Sequence, residues 1–153
     1  AYEGGHPDHD VLNFLCSKFI LTSKSKIEGW QFPLYCGPGL IGPLFYLFKP
    51  LKKNGKVKIK KIKLVNIRLF LKLVFIYKSQ IKTFLGLYPF YLIHMIFKRN
   101  AITQKINPNK IYNKPHAGKL LYERRKMDEF KKLKLKMNKF ESWLKNSNQY
   151  KVK

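Results

Sequence analysis

The sequence predicts a mainly α protein: a small α-helical body, a long C-terminal amphipathic helix, extended basic and Pro/Gly-rich segments, and little regular sheet. Three observations carry this. Apolar residues recur at helical spacing within 11–22, 62–77 and 119–145. Residues 29–48, GWQFPLYCGPGLIGPLFYLF, are twenty uncharged positions punctuated by Pro33, Pro38 and Pro43. Residues 29–122 hold no Asp and no Glu, 94 positions that nevertheless carry eighteen Lys or Arg.

Five segments follow. Residues 1–28 read as an N-terminal turn and a short helix, with Asp10 as N-cap and Leu12, Leu15, Cys16 and Phe19 as the buried stripe. Residues 29–63 join the uncharged Pro/Gly/aromatic strap to a Lys-rich run. Within 29–48 each proline removes a backbone donor, which argues for an extended strap over a regular helix. The length alone also matches a membrane span. Val57 and Ile59 alternate with lysines, so a short hairpin against Leu44–Phe48 fits, as does a helix from Lys58.

Residues 64–99 read as an apolar helical core. Its first part is a largely buried helix, with Lys61, Arg68 and Lys72 on one basic stripe. Its second part, 83–97, starts its helix at Pro89, and fifteen residues suit a core helix better than a span. Residues 100–118, rich in Asn with Pro108, Pro115 and Gly118, read as a loop. Residues 119–153 read as a long basic amphipathic helix and tail. Its apolar edge is Met127, Phe130, Met137, Phe140 and Leu144, with the pairs Asp128–Lys132 and Glu141–Lys145 in the favourable order.

The formal net charge is +24 over 153 residues. At ordinary composition about ten acids would fall within 29–122. Their absence leaves a positive field that only an outside anion can neutralise: nucleic-acid phosphate, anionic lipid or an acidic protein. Lys outnumbers Arg 28 to 4, as an AT-rich genome produces. That bias does not remove Glu and Asp codons, so the basic balance itself is selected. The run 49–63, KPLKKNGKVKIKKIK, has eight lysines. Lys positions a chain along phosphates more than it reads bases.

The chemistry of the sequence is sparse. His6, Asp8, His9 and Asp10, with Cys16 and Cys36, are metal-ligating types, but their spacing fits no zinc motif. The two cysteines read as reduced, packed thiols. His94 lies in an apolar run as a satisfied core histidine, and no nucleotide-cradle or hydrolase motif occurs. No cleavable targeting segment is visible in the acidic first ten residues. No cofactor, metal, enzyme activity or small-molecule substrate is expected.

The expected function is therefore a structural, rRNA-contacting component of a ribosome of the organellar, mitochondrial kind, with ribosomal RNA and neighbouring ribosomal proteins as partners. The expected RNA contacts are Lys49, Lys52, Lys53, Lys56, Lys58, Lys60, Lys61, Lys63, Arg68, Lys72, Lys98, Arg99, Arg124 and Arg125. Trp30, Phe32, Tyr35, Tyr112 and Trp143 are the aromatics able to stack on unpaired bases. The competing expectation is an accessory subunit of a mitochondrial inner-membrane complex, respiratory chain or ATP synthase. Short membrane segments at 29–48 and 83–97 would then lie among other subunits and anionic lipid. A protein–protein adaptor whose C-terminal helix docks in an acidic groove is a third reading.

Overall fold

The computed structural model describes residues 2–38, 41, 44–51, 54–63, 65, 66, 69, 72, 76, 78 and 81–146. Along the chain these form α1 (Pro7–Thr22), β1 (Trp30–Gln31), β2 (Val57–Lys61), α2 (Ile81–Phe97), β3 (Asn100–Lys105), a 3-10 turn (Pro108–Lys110), α3 (Leu121–Arg124) and α4 (Phe130–Asn146). Helix dominates, and one antiparallel three-stranded sheet of order β1-β3-β2 accompanies it.

Helix α1 begins four residues before the expected start. Pro7 occupies the first turn, where its missing N–H costs nothing, and His6 Nδ1 accepts from the Asp8 N–H at 3.2 Å. The buried face is Asp10, Asn13, Phe14 and Ser17. The expected stripe of Leu12, Leu15, Cys16 and Phe19 faces outward instead, with Leu12 and Phe19 each 60% exposed. The physical reason lies in the segment before the helix, which is polar backbone that needs partners.

Tyr2–Gly5 is buried throughout. Asp10 Oδ1 accepts from the Glu3 and Gly4 N–H groups at 3.1 and 3.2 Å. Gln31 Oε1 accepts from Tyr2 N–H and Asn13 Nδ2 at 2.8 and 2.6 Å. Glu3 Oε1 accepts from the Leu34 and Tyr35 N–H groups, and Asn54 Nδ2 donates to the Tyr2 carbonyl. The Gly4 carbonyl accepts from Leu121 N–H at 2.8 Å, and Tyr2 Oη donates to the carbonyls of Ile111 and Asn113. A buried backbone must find such partners or lose their full desolvation cost. Here the polar face of α1 takes part directly through Asp10 and, through Asn13, holds the Gln31 oxygen that accepts from Tyr2 N–H, so the apolar face is the one turned out.

The strap 29–48 contains no helix among its described residues. It folds back on itself, Cys36 and Tyr46 exchanging both backbone hydrogen bonds. Cys36 is buried, and desolvation pushes its thiol up to about 12. Val57–Lys61 is a strand, but its partner is β3 and not Leu44–Phe48, with Val57 opposite Gln104 and Lys61 opposite Asn100. The segment 100–118 is therefore no simple loop. Ile102 and Gln104 alternate inward from β3, and Gln104 Nε2 donates to the carbonyls of Leu51 and Gly55.

Helix α2 continues through Pro89 from Ile81. Pro89 has no N–H to offer the Leu85 carbonyl four residues back, and Leu85 is on the exposed side, where water can serve that group. Of the segment 62–77, Val65, Leu69, Lys72 and Ile76 are helical but exposed, against the expectation of a buried helix. Because Lys61 ends β2, it does not share a helical stripe with Lys72. Arg68 lies outside the described residues.

The single helix expected over 119–145 is two. Glu123 explains the break: its Oε2 accepts from Leu120 N–H at 2.7 Å and its Oε1 from Phe130 N–H at 3.1 Å. One carboxylate thus caps the start of α3 and the start of α4, and the chain turns between them at Lys126, φ 56°. Asp128 now precedes α4, so it pairs with Lys136, while Lys132 pairs with Glu129. Glu141–Lys145 forms as expected. Helix α4 buries Phe130, Leu133 and Met137, while Met127 is exposed.

Two cores meet at α3. Phe14, Leu120, Tyr122, Leu133 and Met137 pack with Tyr2 in one, and Phe45, Phe48, Leu87, Tyr91 and Ile102 pack with Leu121 in the other. A Cβ on Gly5 would overlap Tyr35 Cβ and stand 2.7 Å from the Tyr35 carbonyl oxygen. Gly5→Ala is expected to cost about 1–3 kcal/mol, read as a lower urea midpoint at unchanged slope. Desolvation raises the Asp10 carboxyl to about 7, despite the two N–H groups on its Oδ1. The folded state then binds the extra proton, so this stabilisation is complete below about pH 4 and is lost as pH rises towards 7. Asp10→Asn keeps the acceptor and is expected to flatten that slope in melting temperature across pH 4–8.

Candidate nucleic-acid interface

In an antiparallel sheet, opposed residues share a face and successive residues alternate. Gln31, Gln104 and Ile102 are buried, so they mark the inner face. The outer face then carries Trp30, Lys105, Thr103, Lys58, Ala101 and Lys60. Lys58 Nζ stands 3.8 Å over the Trp30 ring, a cation–π contact made across this outer face. Lys56 precedes β2 in the same alternation, and its carbonyl accepts from Lys105 N–H at 2.8 Å. Lys56, Lys58 and Lys60 are exposed, which fits amphipathic stems with solvated heads.

A second group of cations gathers at the other end of β2. Lys61 lies opposite Asn100, and Ile62 N–H donates to the Arg99 carbonyl at 2.9 Å. This brings Lys61 and Lys63 beside Lys98 and Arg99, all exposed. Helix α2 stops there because Arg99 adopts φ 43° while the N–H groups of Lys98 and Arg99 both reach the His94 carbonyl. His94 is buried against Phe48, and its Nε2 meets the Asn100 carbonyl at 2.6 Å, the satisfied core histidine expected.

The remaining expected contacts are dispersed. Lys49 lies 4.2 Å over the Tyr46 ring on the strap. Lys72 is helical and exposed. Arg124 and Arg125 close α3, Arg125 standing 5.1 Å from the Phe45 ring centroid. Lys52, Lys53 and Arg68 lie outside the described residues. The sequence reading missed Lys105, whose strand was read as loop; the alternation of Ile102, Gln104 and Ile106 was the available signal. It also passed over Lys82 near the start of α2.

One carboxylate, Glu28, reaches the outer face, and the others are engaged or buried elsewhere. Glu28 pairs with Lys105, and the Lys105 ammonium holds its carboxyl below the ordinary range. Glu141 accepts from Lys18 at 2.6 Å and Tyr112 Oη at 2.7 Å, which ties α1 to α4. Glu123, Asp128 and Glu129 pair with Lys114, Lys136 and Lys132. Asp8 stands 3.7 Å from His6. Glu3 and Asp10 are buried, and desolvation raises both. Among the described residues, no ion pair joins Lys49, Lys56, Lys58, Lys60, Lys61, Lys63, Lys72, Lys98 or Arg99 to a carboxylate.

Of the aromatics, Phe32 packs on Phe48, Tyr112 is engaged by Glu141, and Trp143 stacks on Phe140 at 5.8 Å. Cys16 is exposed, so only Cys36 is the packed thiol expected. Among the described residues no group of three His, Cys, Asp or Glu side chains is placed to hold a metal ion. No described helix is long and apolar enough to cross a membrane. No protein family, curated protein or solved structure matches the chain.

Lys56, Lys58 and Lys60 make no ion pair among the described residues, and the attraction of Lys58 for the Trp30 ring and Glu28 offsets part of their mutual repulsion. Replacing all three by Gln is expected to leave thermal stability within about 0.5 kcal/mol of the parent, or to raise it. Differential scanning calorimetry at low salt reads this directly.

Proposed function

We propose that this chain is a structural, rRNA-contacting component of a mitochondrial ribosome, docked on RNA phosphates through its Lys-rich surfaces. The observation that supports this most is the outer face of the sheet. It presents Lys56, Lys58, Lys60 and Trp30 together, and among the described residues none of the three lysines has an ion pair to a carboxylate, Glu28 being paired with Lys105. Phosphate neutralisation releases counterions and draws such a face onto RNA, while Trp30 adds a ring to stack on an unpaired base. The cations at Lys61, Lys63, Lys98 and Arg99 extend the same footprint, and the Lys-rich α4 adds an amphipathic, basic edge. Neighbouring ribosomal proteins would cover the apolar surface of α1 and α2. The Lys-over-Arg bias and the unpaired cysteines fit an AT-rich organelle genome and a reducing interior.

A second reading has its own observation. Helix α2 exposes a broad apolar side, with Ile96 at 72% and Phe97 at 79%. Lys82 lies near its start, and Lys98 and Arg99 follow its end. An accessory subunit of an inner-membrane complex would lay this side against lipid or a hydrophobic subunit.

RNA affinity is expected to fall steeply with salt. The triple Gln variant at Lys56, Lys58 and Lys60 is expected to lower the slope of log K against log salt by about 2. An unchanged slope removes the sheet face from the interface. In a mild-detergent lysate, the native protein is expected to sediment with a large particle that ribonuclease collapses. Indifference to ribonuclease together with resistance to alkaline carbonate favours the membrane reading.

A further inference from the structure

A cleft of about 510 Å³ opens where the start of α1, the strap and α2 converge. Its volume falls in the range of small-molecule sites, about 300–1,000 Å³. One wall is a continuous run of rings. His6 and His9 are 5.5 Å apart, His9 stacks on Tyr35 at 5.4 Å, and Tyr35 meets Phe45 edge-on at 5.3 Å. Two cations line the same cleft, Lys82 from α2 and Arg125 from the end of α3. Thr83 and Gly86 complete the α2 side, and a Cβ on Gly86 would meet nothing within 4 Å.

An aromatic wall and two cations lining one cleft is the chemistry of one nucleotide: ring contacts for a base and positive charge for a phosphate. Desolvation holds the His9 ring down to about 4, so it is neutral at physiological pH and adds no charge to the ring wall. Asp8 also lines the cleft, but it is strongly exposed and turned to His6. The aromatic wall exists because Glu3 fixes the backbone of Leu34 and Tyr35. Arg125 is steered into the cleft by its contact with the Phe45 ring.

We propose that this cleft binds one nucleoside monophosphate unit, the base along the ring wall of His6, His9 and Tyr35 and the phosphate drawn to the side lined by Lys82 and Arg125. Resting on the RNA reading above, its source is an unpaired RNA residue turned out of its strand. The site lies apart from the lysines of the sheet's outer face, so the two contacts are separable by mutation.

The full-length chain is titrated with adenosine 5′-monophosphate and, separately, with a single-stranded oligonucleotide carrying 4-thiouridine for photocrosslinking. The expected result is a crosslink in the peptides containing His9 or Tyr35, competed by the mononucleotide. Lys82→Gln, a change at an exposed position, is expected to weaken both by about fivefold. Mononucleotide binding sensitive to Lys82→Gln without oligonucleotide binding also supports the cleft, with free nucleotide as its source, and counts against the RNA reading. Oligonucleotide binding with crosslinks only elsewhere and no mononucleotide binding overturns the cleft and leaves the RNA reading standing. Binding of neither overturns both.

Discussion

The fold depends on burying the segment Tyr2–Gly5. Four residues with little apolar mass reach α1, β1, the strap, the turn before β2, the loop at 111–113 and α3 through hydrogen bonds. Such bonds contribute modestly one by one, about 1 kcal/mol each. Leaving any of these groups buried without a partner costs more, so each element has one position that satisfies the segment. Gly4, at φ 71°, and Gly5 are the two places where a side chain has no room beside Leu120 and Tyr35.

That constraint explains what was legible in the residues and what was not. The helical character, the end of α2 at Lys98-Arg99 and the core role of His94 follow from apolar runs and local signals. The polarity of α1 does not. Leu12, Leu15 and Phe19 form the better apolar stripe by local pattern. Asp10 and Asn13 are nevertheless turned inward, because Asp10 answers the N–H groups of Glu3 and Gly4 ahead of the helix and Asn13 the Gln31 amide of β1, with Ser17 bonded to Asn13 on the same face. The strand pairing failed for a related reason. The partner of Val57–Lys61 lies about forty residues on, beyond a helix, and no turn signal links them. The split between α3 and α4 rests on one side chain, Glu123, whose second contact is with Phe130. A heptad-like pattern alone gives no hint of it.

The candidate site was partly legible. The basic run at 49–63 is plain in the sequence, and the alternation in VKIKK sends Lys58 and Lys60 to one side once the strand is known. Which side, and that Trp30 and Lys105 share it, needed the sheet. The absence of acids over 29–122 was visible as composition. The structure adds the complementary fact that the acids outside that stretch are buried or engaged with basic side chains. Among the described residues Glu28 reaches the outer sheet face, where it pairs with Lys105, while Lys56, Lys58 and Lys60 make no ion pair with a carboxylate, so the positive field there belongs to the folded molecule as well as to the composition.

Strand β2 has a neighbour on one flank only among the described residues, since the sheet order places it at an end. A strand in that position presents unpaired N–H and C=O groups, an invitation to pair with another chain and to aggregate. In β2 the lysines at 58, 60 and 61 set three like charges along that margin, so a second copy approaching in register meets repulsion. The protection is electrostatic, and it is strongest in the free chain. On the proposed RNA reading, phosphate that neutralised these lysines would free the margin for pairing, so a neighbour's strand would be resisted before docking and admitted after it. One five-residue strand would then set an order of assembly.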